Sequence, residues 1–372
     1  MAYKTKATCL QSSLLLNFLL SCLFGFTQQN FKSIDLWMKE NTGQLGGRAV
    51  LVILKNGKII YDHAENDLTP KQKFIGRMIA KRTGKDEDMM EQDFSSNSQQ
   101  PIASCSKWLS AALVMTFIDE EKLSLDDSIG KYLPVMTANG KGNIKLWQCL
   151  SHLTAIKAPA LKESMQENKN IHSMQEAVDR IAVLPMEGEP GKTFHYSSVG
   201  LQLVGAVIEK ISGKNFETLF AERIARPCNM VHTDFGNNEV ALPAGGARST
   251  PNDYIHFLNM ILNEGTYNGK RVLSKKSIAS MEQNRVGKDC KIVYSPAEAG
   301  NWGYGFGEWI LGTVPCGERA IAAASPGLFG SFPWIDREKN YAAFLFTLYI
   351  KSEGRNKRYL DLKNIVDQAL IN

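Results

Sequence analysis

Arg48-Ala49-Val50-Leu51-Val52-Ile53-Leu54-Lys55-Asn56-Gly57-Lys58-Ile59-Ile60-Tyr61-Asp62 sets two apolar, β-branched runs on either side of an Asn-Gly pair. Branched side chains suit a pleated sheet, and Asn-Gly accepts the left-handed backbone of a tight two-residue turn. The stretch predicts an antiparallel hairpin near the start of the chain. Strand-like runs return after residue 300, at Tyr304 to Leu311, Arg319 to Ala324, Phe329 to Ile335 and Tyr341 to Ile350, with Asp336-Arg337-Glu338-Lys339-Asn340 joining the last two. Between these ends, from 104 to about 284, the pattern is mostly helical. Leu201, Val204, Gly205, Ile208 and Ile211 share a helical face that Gly213 closes, and Thr250-Pro251-Asn252-Asp253 is a capped helix start. Thr69-Pro70-Lys71-Gln72 reads as another start, followed by a helical apolar stripe of Phe74, Ile75, Met78 and Ile79 that ends at Gly84. A last helix carries Leu362, Ile365, Val366, Ala369 and Leu370 on one face.

The expected fold is α/β of the α+β type. An antiparallel sheet drawn from both ends of the chain is flanked by helices, and a large, mostly helical insertion fills the middle. The expected units are a sheet domain over 28–65 and 285–372 and a helical domain over 66–284, with a site where the two meet. The segment 66–100 either shapes the pocket or covers the sheet.

At 372 residues, 44% hydrophobic and 22% charged, the chain has an ordinary globular composition. The net charge of +5 is not gathered into a Lys/Arg run with interleaved aromatics, so no nucleic-acid partner is expected. Lys4 and Lys6 precede an apolar stretch from Leu14 to Phe26, and no acid comes before Asp35. This pattern predicts a signal peptide over 1–27 and an exported protein, periplasmic or secreted. Leu19-Leu20-Ser21-Cys22 faintly resembles a lipoprotein cleavage site, so membrane contact would come only from an uncleaved leader or a lipid anchor. Beyond the leader lie Cys105, Cys149, Cys228, Cys290 and Cys316, an odd set in which Cys290 and Cys316 could bridge in an exported protein. No Cys-x-x-Cys or His-Glu-x-x-His spacing occurs and the histidines are scattered, so neither a metal nor an organic cofactor is expected.

Chemistry enters at Ser104-Cys105-Ser106-Lys107, which opens the long apolar segment from Trp108 to Ile118. On a helix, residues three apart share a face, so the Lys107 amine would reach the Ser104 hydroxyl. A serine beside an amine is one way to make a nucleophile at neutral pH, and a helix N-terminus favours developing negative charge. Ser128-Ile129-Gly130-Lys131 has the same spacing, but it lies in a turn-like stretch with no helix pattern behind it.

Further motifs extend this reading. Ile102-Ala103-Ser104-Cys105-Ser106-Lys107, Leu150-Ser151-His152-Leu153-Thr154-Ala155 and the run Pro190 to Gly205 around Tyr196-Ser197-Ser198 resemble, in order, the motifs of the serine β-lactamase-related family. That family holds class C β-lactamases, D-alanyl-D-alanine peptidases and related esterases. Leu125 to Pro134 and Gly246-Ala247-Arg248-Ser249-Thr250 are also similar to family stretches, and the likeness spans roughly 45–350. The resemblance implies Ser104 as the acylated nucleophile, Lys107 as its proton acceptor, and Tyr196 as an anionic base or proton shuttle. It implies an oxyanion hole from the amides of Ser104 and Leu328. It places Ser198, Ser325 and Gly327 against substrate, in Ser325-Pro326-Gly327-Leu328-Phe329-Gly330. Two positions depart from the family. Ser198 stands where Asn is usual, and Ser325 stands where Lys or His would carry charge. Both weaken recognition of a substrate carboxylate. The implied function is an exported serine hydrolase acting on a small ester or amide. The alternatives are a penicillin-recognising D,D-carboxypeptidase or β-lactamase, and a non-catalytic binding or sensor domain. His152 and His195 read as structural neighbours, Cys105 as packing behind the helix, and Trp302, Tyr304 and Trp334 as core or pocket lining.

Overall fold

Asn56 and Gly57 both take left-handed backbone, with φ of 51° and 73°, and fold β1 (Arg48–Lys55) onto β2 (Lys58–Asn66). Two consecutive positive φ values match the twist of a hairpin, which is why Asn-Gly serves here. Downstream, β3 (Gly303–Tyr304), β4 (Trp309–Ile310), β5 (Ala322–Ala324), β6 (Phe332–Asp336) and β7 (Tyr341–Thr347) complete a seven-stranded sheet in the order β2-β1-β7-β6-β5-β4-β3. β1 pairs antiparallel with β7, from Ala49 opposite Thr347 to Lys55 opposite Tyr341. The two ends of the chain therefore share one sheet, as the sequence predicts. The computed structural model describes residues 31–83, 91–160, 162, 163, 166, 170–236 and 240–370, and the leader expected over 1–27 lies outside them.

The central strands of the sheet are buried on both faces, while the edge strand β2 is largely exposed. Ala49, Leu51 and Ile53 of β1 pack with α1 (Lys32–Asn41) and the C-terminal helix (Arg355–Ala369) through Ile34, Met38, Leu362 and Val366. Val50, Val52 and Leu54 face the helical middle of the chain. That division explains why β1 is apolar throughout rather than alternating. After α2 (Pro70–Thr83), the middle is built on α3 (Ser106–Asp119), α4 (Val199–Ser212) and α5 (Pro251–Leu262), and the C-terminal helix is α6. Every residue of α3 from Ser106 to Phe117 is buried, as expected of a helix that is apolar on all sides.

One expected strand needs correction. The run Tyr304 to Leu311 is not one strand. It breaks into the short β3 and β4 around a turn in which Gly307 takes φ +77°. A Cβ on Gly307 would lie 2.3 Å from the Lys107 carbonyl oxygen, so the break brings the sheet edge onto α3. The apolar stripe on α2 is helical, as expected, and it faces outward. Phe74 and Met78 are 63% and 57% exposed, while Gly76 and Ala80 turn inward. Small residues one turn apart let the helix backbone lie close to its support. Its start is as expected, because the Thr69 amide donates to Gln72 Oε1 (2.8 Å) and the Gln72 amide donates back to Thr69 Oγ1 (3.3 Å).

Candidate active site

Ser104 lies in a single 3-10 turn, Ala103–Cys105, that leads into α3, so it sits just ahead of the α-helix rather than within its first turn. Ala103 is left-handed at φ 46°, a costly conformation for a residue with a Cβ. Neighbours fix the turn from three directions. The Ser106 hydroxyl donates to the Ala103 carbonyl (2.6 Å) and accepts from the Ala247 amide (3.0 Å). The Ile102 amide donates to the Ala247 carbonyl (3.0 Å). From α5, the Tyr254 hydroxyl donates to the Cys105 carbonyl (2.8 Å).

The spacing from Ser104 to Lys107 brings Nζ to 3.0 Å from Ser104 Oγ. Lys107 is 3% exposed, and its second partner is the carbonyl of Ala244, at 2.7 Å. No carboxylate contacts it among the described residues. Burial without a counter-charge pulls the amine down to about 7. With one N–H on the Ala244 carbonyl, the neutral amine has its lone pair free for the Ser104 proton. Ala244 could not have been picked from the sequence, because it acts through its backbone and lies 137 residues away.

Tyr196 sets its ring under the lysine, with Nζ 4.7 Å from the ring centroid. Burial holds its phenol well above the ordinary tyrosine value, and the Ser104 hydroxyl and the Trp309 indole pull more weakly the other way. The sequence leaves the base open between Lys107 and Tyr196. Burial acts on them in opposite directions, lowering the lysine and raising the tyrosine, so a neutral amine forms more readily than a phenolate. Trp309, which no sequence motif singles out, lies 5.1 Å from the Tyr196 ring.

Gly327 lies against the nucleophile turn, and Leu328 follows it in the chain. A Cβ on Gly327 would sit 2.4 Å from the Ile102 carbonyl oxygen and 3.1 Å from Cys105 Sγ. The Leu328 amide has no hydrogen-bond partner among the described residues and remains available to a ligand. Ser198 is half-buried at the start of α4, with no side-chain hydrogen bond there. Ser325 is 2% exposed, and its hydroxyl bonds the Gly307 carbonyl (3.0 Å) and the Ser104 carbonyl (3.3 Å). It braces the nucleophile turn from behind and does not open towards a substrate.

The remaining singled-out residues are mostly supports. His152 Nε2 meets the Tyr304 hydroxyl at 3.0 Å, and Nδ1 accepts from the Ser197 amide at 3.4 Å. Burial first, then the Lys107 and His195 charges, holds His152 well below the ordinary histidine value, so it is neutral. It packs 4.6 Å from the Tyr196 ring. His195 Nδ1 pairs with Glu187 at 2.5 Å. Tyr304 and Trp334 are fully buried core, and Trp302 is partly buried. Cys105 is buried behind the turn, and Cys290 and Cys316 are free thiols. Among the described residues, no group of three or more His, Cys, Asp or Glu could hold a metal ion.

With this geometry in place, the beta-lactamase family profile matches residues 39–362. The chain belongs to the beta-lactamase family. Protein Rv1367c of Mycobacterium tuberculosis is 25% identical over 287 residues, covering 63% of this chain and 71% of that protein. A proposed D-alanyl-D-alanine carboxypeptidase of Escherichia coli is 23% identical over 219 residues, covering 57% of this chain and 48% of that protein. Among solved structures, a proposed beta-lactamase from Bacteroides dorei superposes with a TM-score of 0.75 at 24% identity, over 92% of this chain and 100% of that one. A family VIII carboxylesterase superposes with a TM-score of 0.69 at 16% identity, over 91% and 97%. The family is thus one of serine hydrolases, with esterases and carboxypeptidases among the relatives. The structural likenesses, all below 25% identity, speak to the fold.

Proposed function

We propose that the chain hydrolyses a small, uncharged ester or amide through an acyl-enzyme on Ser104. The observation that carries this reading is the buried Lys107 amine, held at about 7 and 3.0 Å from the Ser104 hydroxyl. Ser104 Oγ attacks the substrate carbonyl carbon while its proton passes to Lys107 Nζ. The carbonyl oxygen becomes an oxyanion that accepts from the amides of Ser104 and Leu328. On collapse, the proton goes from Lys107, with the Tyr196 phenol as relay, to the leaving oxygen or nitrogen. Water then gives a proton to Lys107 Nζ as its oxygen attacks the acyl carbon, and collapse breaks the bond to Ser104 Oγ, which takes that proton back as the acid leaves. The preference for uncharged substrates rests on Ser198 and Ser325, where a carboxylate-binding site would place an amide and a cation. Export, periplasmic or secreted, is part of the proposal and rests on Lys4, Lys6 and the apolar stretch Leu14 to Phe26.

The test is p-nitrophenyl butyrate hydrolysis by the full chain and by Ser104→Ala, with a β-lactam adduct sought by mass spectrometry in parallel. Hydrolysis that vanishes in Ser104→Ala, without a lasting β-lactam adduct, is the expected result. A Ser104 adduct with slow ester turnover would instead favour the penicillin-recognising reading. The absence of both would leave a binding or sensor domain.

A further inference from the structure

The loop from Gly327 to Ser331 has its carbonyls tied down one after another. The Gly330 amide donates to the Gly327 carbonyl (2.9 Å), the Tyr349 amide to Phe329 (2.8 Å), the Tyr359 hydroxyl to Gly330 (3.1 Å) and the Gly327 amide to Ser331 (2.8 Å). The Leu328 carbonyl is held differently, by the guanidinium of Arg355 at 3.0 Å. Arg355 is 2% exposed and opens α6 directly after Gly354. Its other amino group donates to the carbonyls of Tyr349 (3.0 Å) and Lys351 (2.9 Å), and Glu298 lies 3.4 Å away as its counter-charge. The Asn356 side chain pins the Glu298 carbonyl at 2.8 Å, which fixes the turn that carries the acid.

This cation is poorly placed for stability alone. The first turn of a helix is the positive end of its dipole, where a cation is disfavoured, and burying a guanidinium adds a desolvation cost. What the arrangement achieves is geometric. Two amino groups of one rigid planar fork hold three carbonyls from two chain segments, where a lysine would offer its three donors from a single rotating nitrogen. One of those carbonyls belongs to Leu328, whose own amide has no partner among the described residues and follows Gly327 on the nucleophile turn.

We propose that Arg355, balanced by Glu298, is a positioning residue: it fixes the Leu328–Phe329 peptide on one side of the Leu328 Cα, and so helps the Gly330 amide, which holds the Gly327 carbonyl, to aim the N–H of the neighbouring Gly327–Leu328 peptide at the carbonyl oxygen of the bound acyl group. Arg355 touches no reacting atom. The inference rests on the acyl-enzyme reading above, because it gives the Leu328 amide a task only in that chemistry. It predicts that losing the fork lowers the rate of reaching the tetrahedral state and leaves substrate binding nearly unchanged.

The test compares the full chain with Arg355→Lys, Arg355→Met and the double variant Arg355→Met/Glu298→Gln. The double variant removes the acid that Arg355→Met would strand, so it separates misfolding from misplacement. Two readouts are taken, kcat and KM for p-nitrophenyl butyrate and the rate of Ser104 phosphonylation by a fluorophosphonate. The expected result is a fall in kcat and in labelling rate of about 100-fold in the double variant, with KM within about threefold and an unchanged thermal midpoint. Arg355→Lys should recover only part of the rate. Wild-type rates in a folded double variant would overturn the role of Arg355 and leave Ser104 chemistry standing. A wild-type chain that neither hydrolyses nor labels would overturn the acyl-enzyme reading, and the inference with it.

Discussion

Contact between a serine and a lysine does not by itself make a site. Ser128 also meets a lysine amine at 3.0 Å, but its partner is Lys145, and Lys131, the partner its motif spacing suggests, pairs with Asp127 instead. What sets Lys107 apart is burial without a carboxylate, and this has consequences for rate and for stability. A base must be neutral to accept the Ser104 proton, so kcat/KM should climb as pH rises through about 7. Lys107→Met should cut ester hydrolysis by about 1000-fold and abolish that rising limb. The same depressed value acts against folding. Between the ordinary 10.5 and about 7 the unfolded chain binds a proton that the folded chain does not, so stability is lost as pH falls across that window. Lys107→Met removes this loss but strands the Ala244 carbonyl. A tenfold drop in proton affinity on folding is worth about 1.4 kcal/mol and an unmet buried carbonyl costs about 1–3 kcal/mol, so the variant should be about 2 kcal/mol more stable at pH 7 and lose that margin by about pH 10. Urea unfolding at the two pH values checks it. A variant less stable than wild type at pH 7 would mean that Lys107 is charged in the fold.

The site depends on how closely secondary-structure elements approach one another, and Gly327 gives the sharpest measure. Its Cα faces the Ile102 carbonyl so closely that an added methyl would sit 2.4 Å from the oxygen. Its backbone is not left-handed, so contact alone makes the site intolerant. Gly327→Ala should push the Leu328 loop off the nucleophile turn, lowering hydrolysis at least about tenfold and stability by about 1–3 kcal/mol. Gly43→Ala, which meets nothing within 4 Å, is the control. Full activity in Gly327→Ala would show that the approach is not needed. The same dependence on long-range contact limits what the sequence reveals. The β1–β2 hairpin is legible because Asn56-Gly57 is local turn chemistry, and the reach from Lys107 to Ser104 because the two share a helical turn. β3 and β4 are not legible as separate strands, since two residues carry no period and the break between them is set by packing on α3. Periodicity shows that α2 has an apolar face but not what lies against it. Arg355 and Ala244 stay hidden because each meets the site through a carbonyl, 27 and 137 residues away.

At the scale of the whole molecule, the helical middle must stay in register with a sheet drawn from both ends of the chain, and a buried ion cluster does much of that work. Glu282, 1% exposed, accepts from Arg319 Nε at 2.7 Å and from Arg337 Nε at 2.8 Å. Arg337 projects from the β6–β7 turn and also donates to the Ile261 (2.9 Å) and Leu262 (3.1 Å) carbonyls at the end of α5, while both arginines share Glu264. The cluster lies at the start of β5, and Ser325 follows its end, so one short strand joins the clasp to the site. Next to it, Glu308 is fully buried, and burial first, then the Glu282 charge, pushes its carboxyl well above the ordinary carboxylate value. Nothing else there can replace Arg337. Arg337→Met would leave Glu282, among the described residues, with only the half-exposed Arg319 and would strip the Leu262 carbonyl of its partner, while the Ile261 carbonyl keeps the Glu264 amide. Breaking a buried pair on one side costs about 3–5 kcal/mol, and urea unfolding should show a loss of that size. Adding Glu282→Gln should restore part of it, since the stranded charge is then gone. The folded fraction of Arg337→Met should still label at Ser104, because the clasp touches none of the groups that activate it. A loss below about 1 kcal/mol would mean that the hydrophobic contacts of α5 with β7 hold the helical middle onto the sheet without the ion cluster.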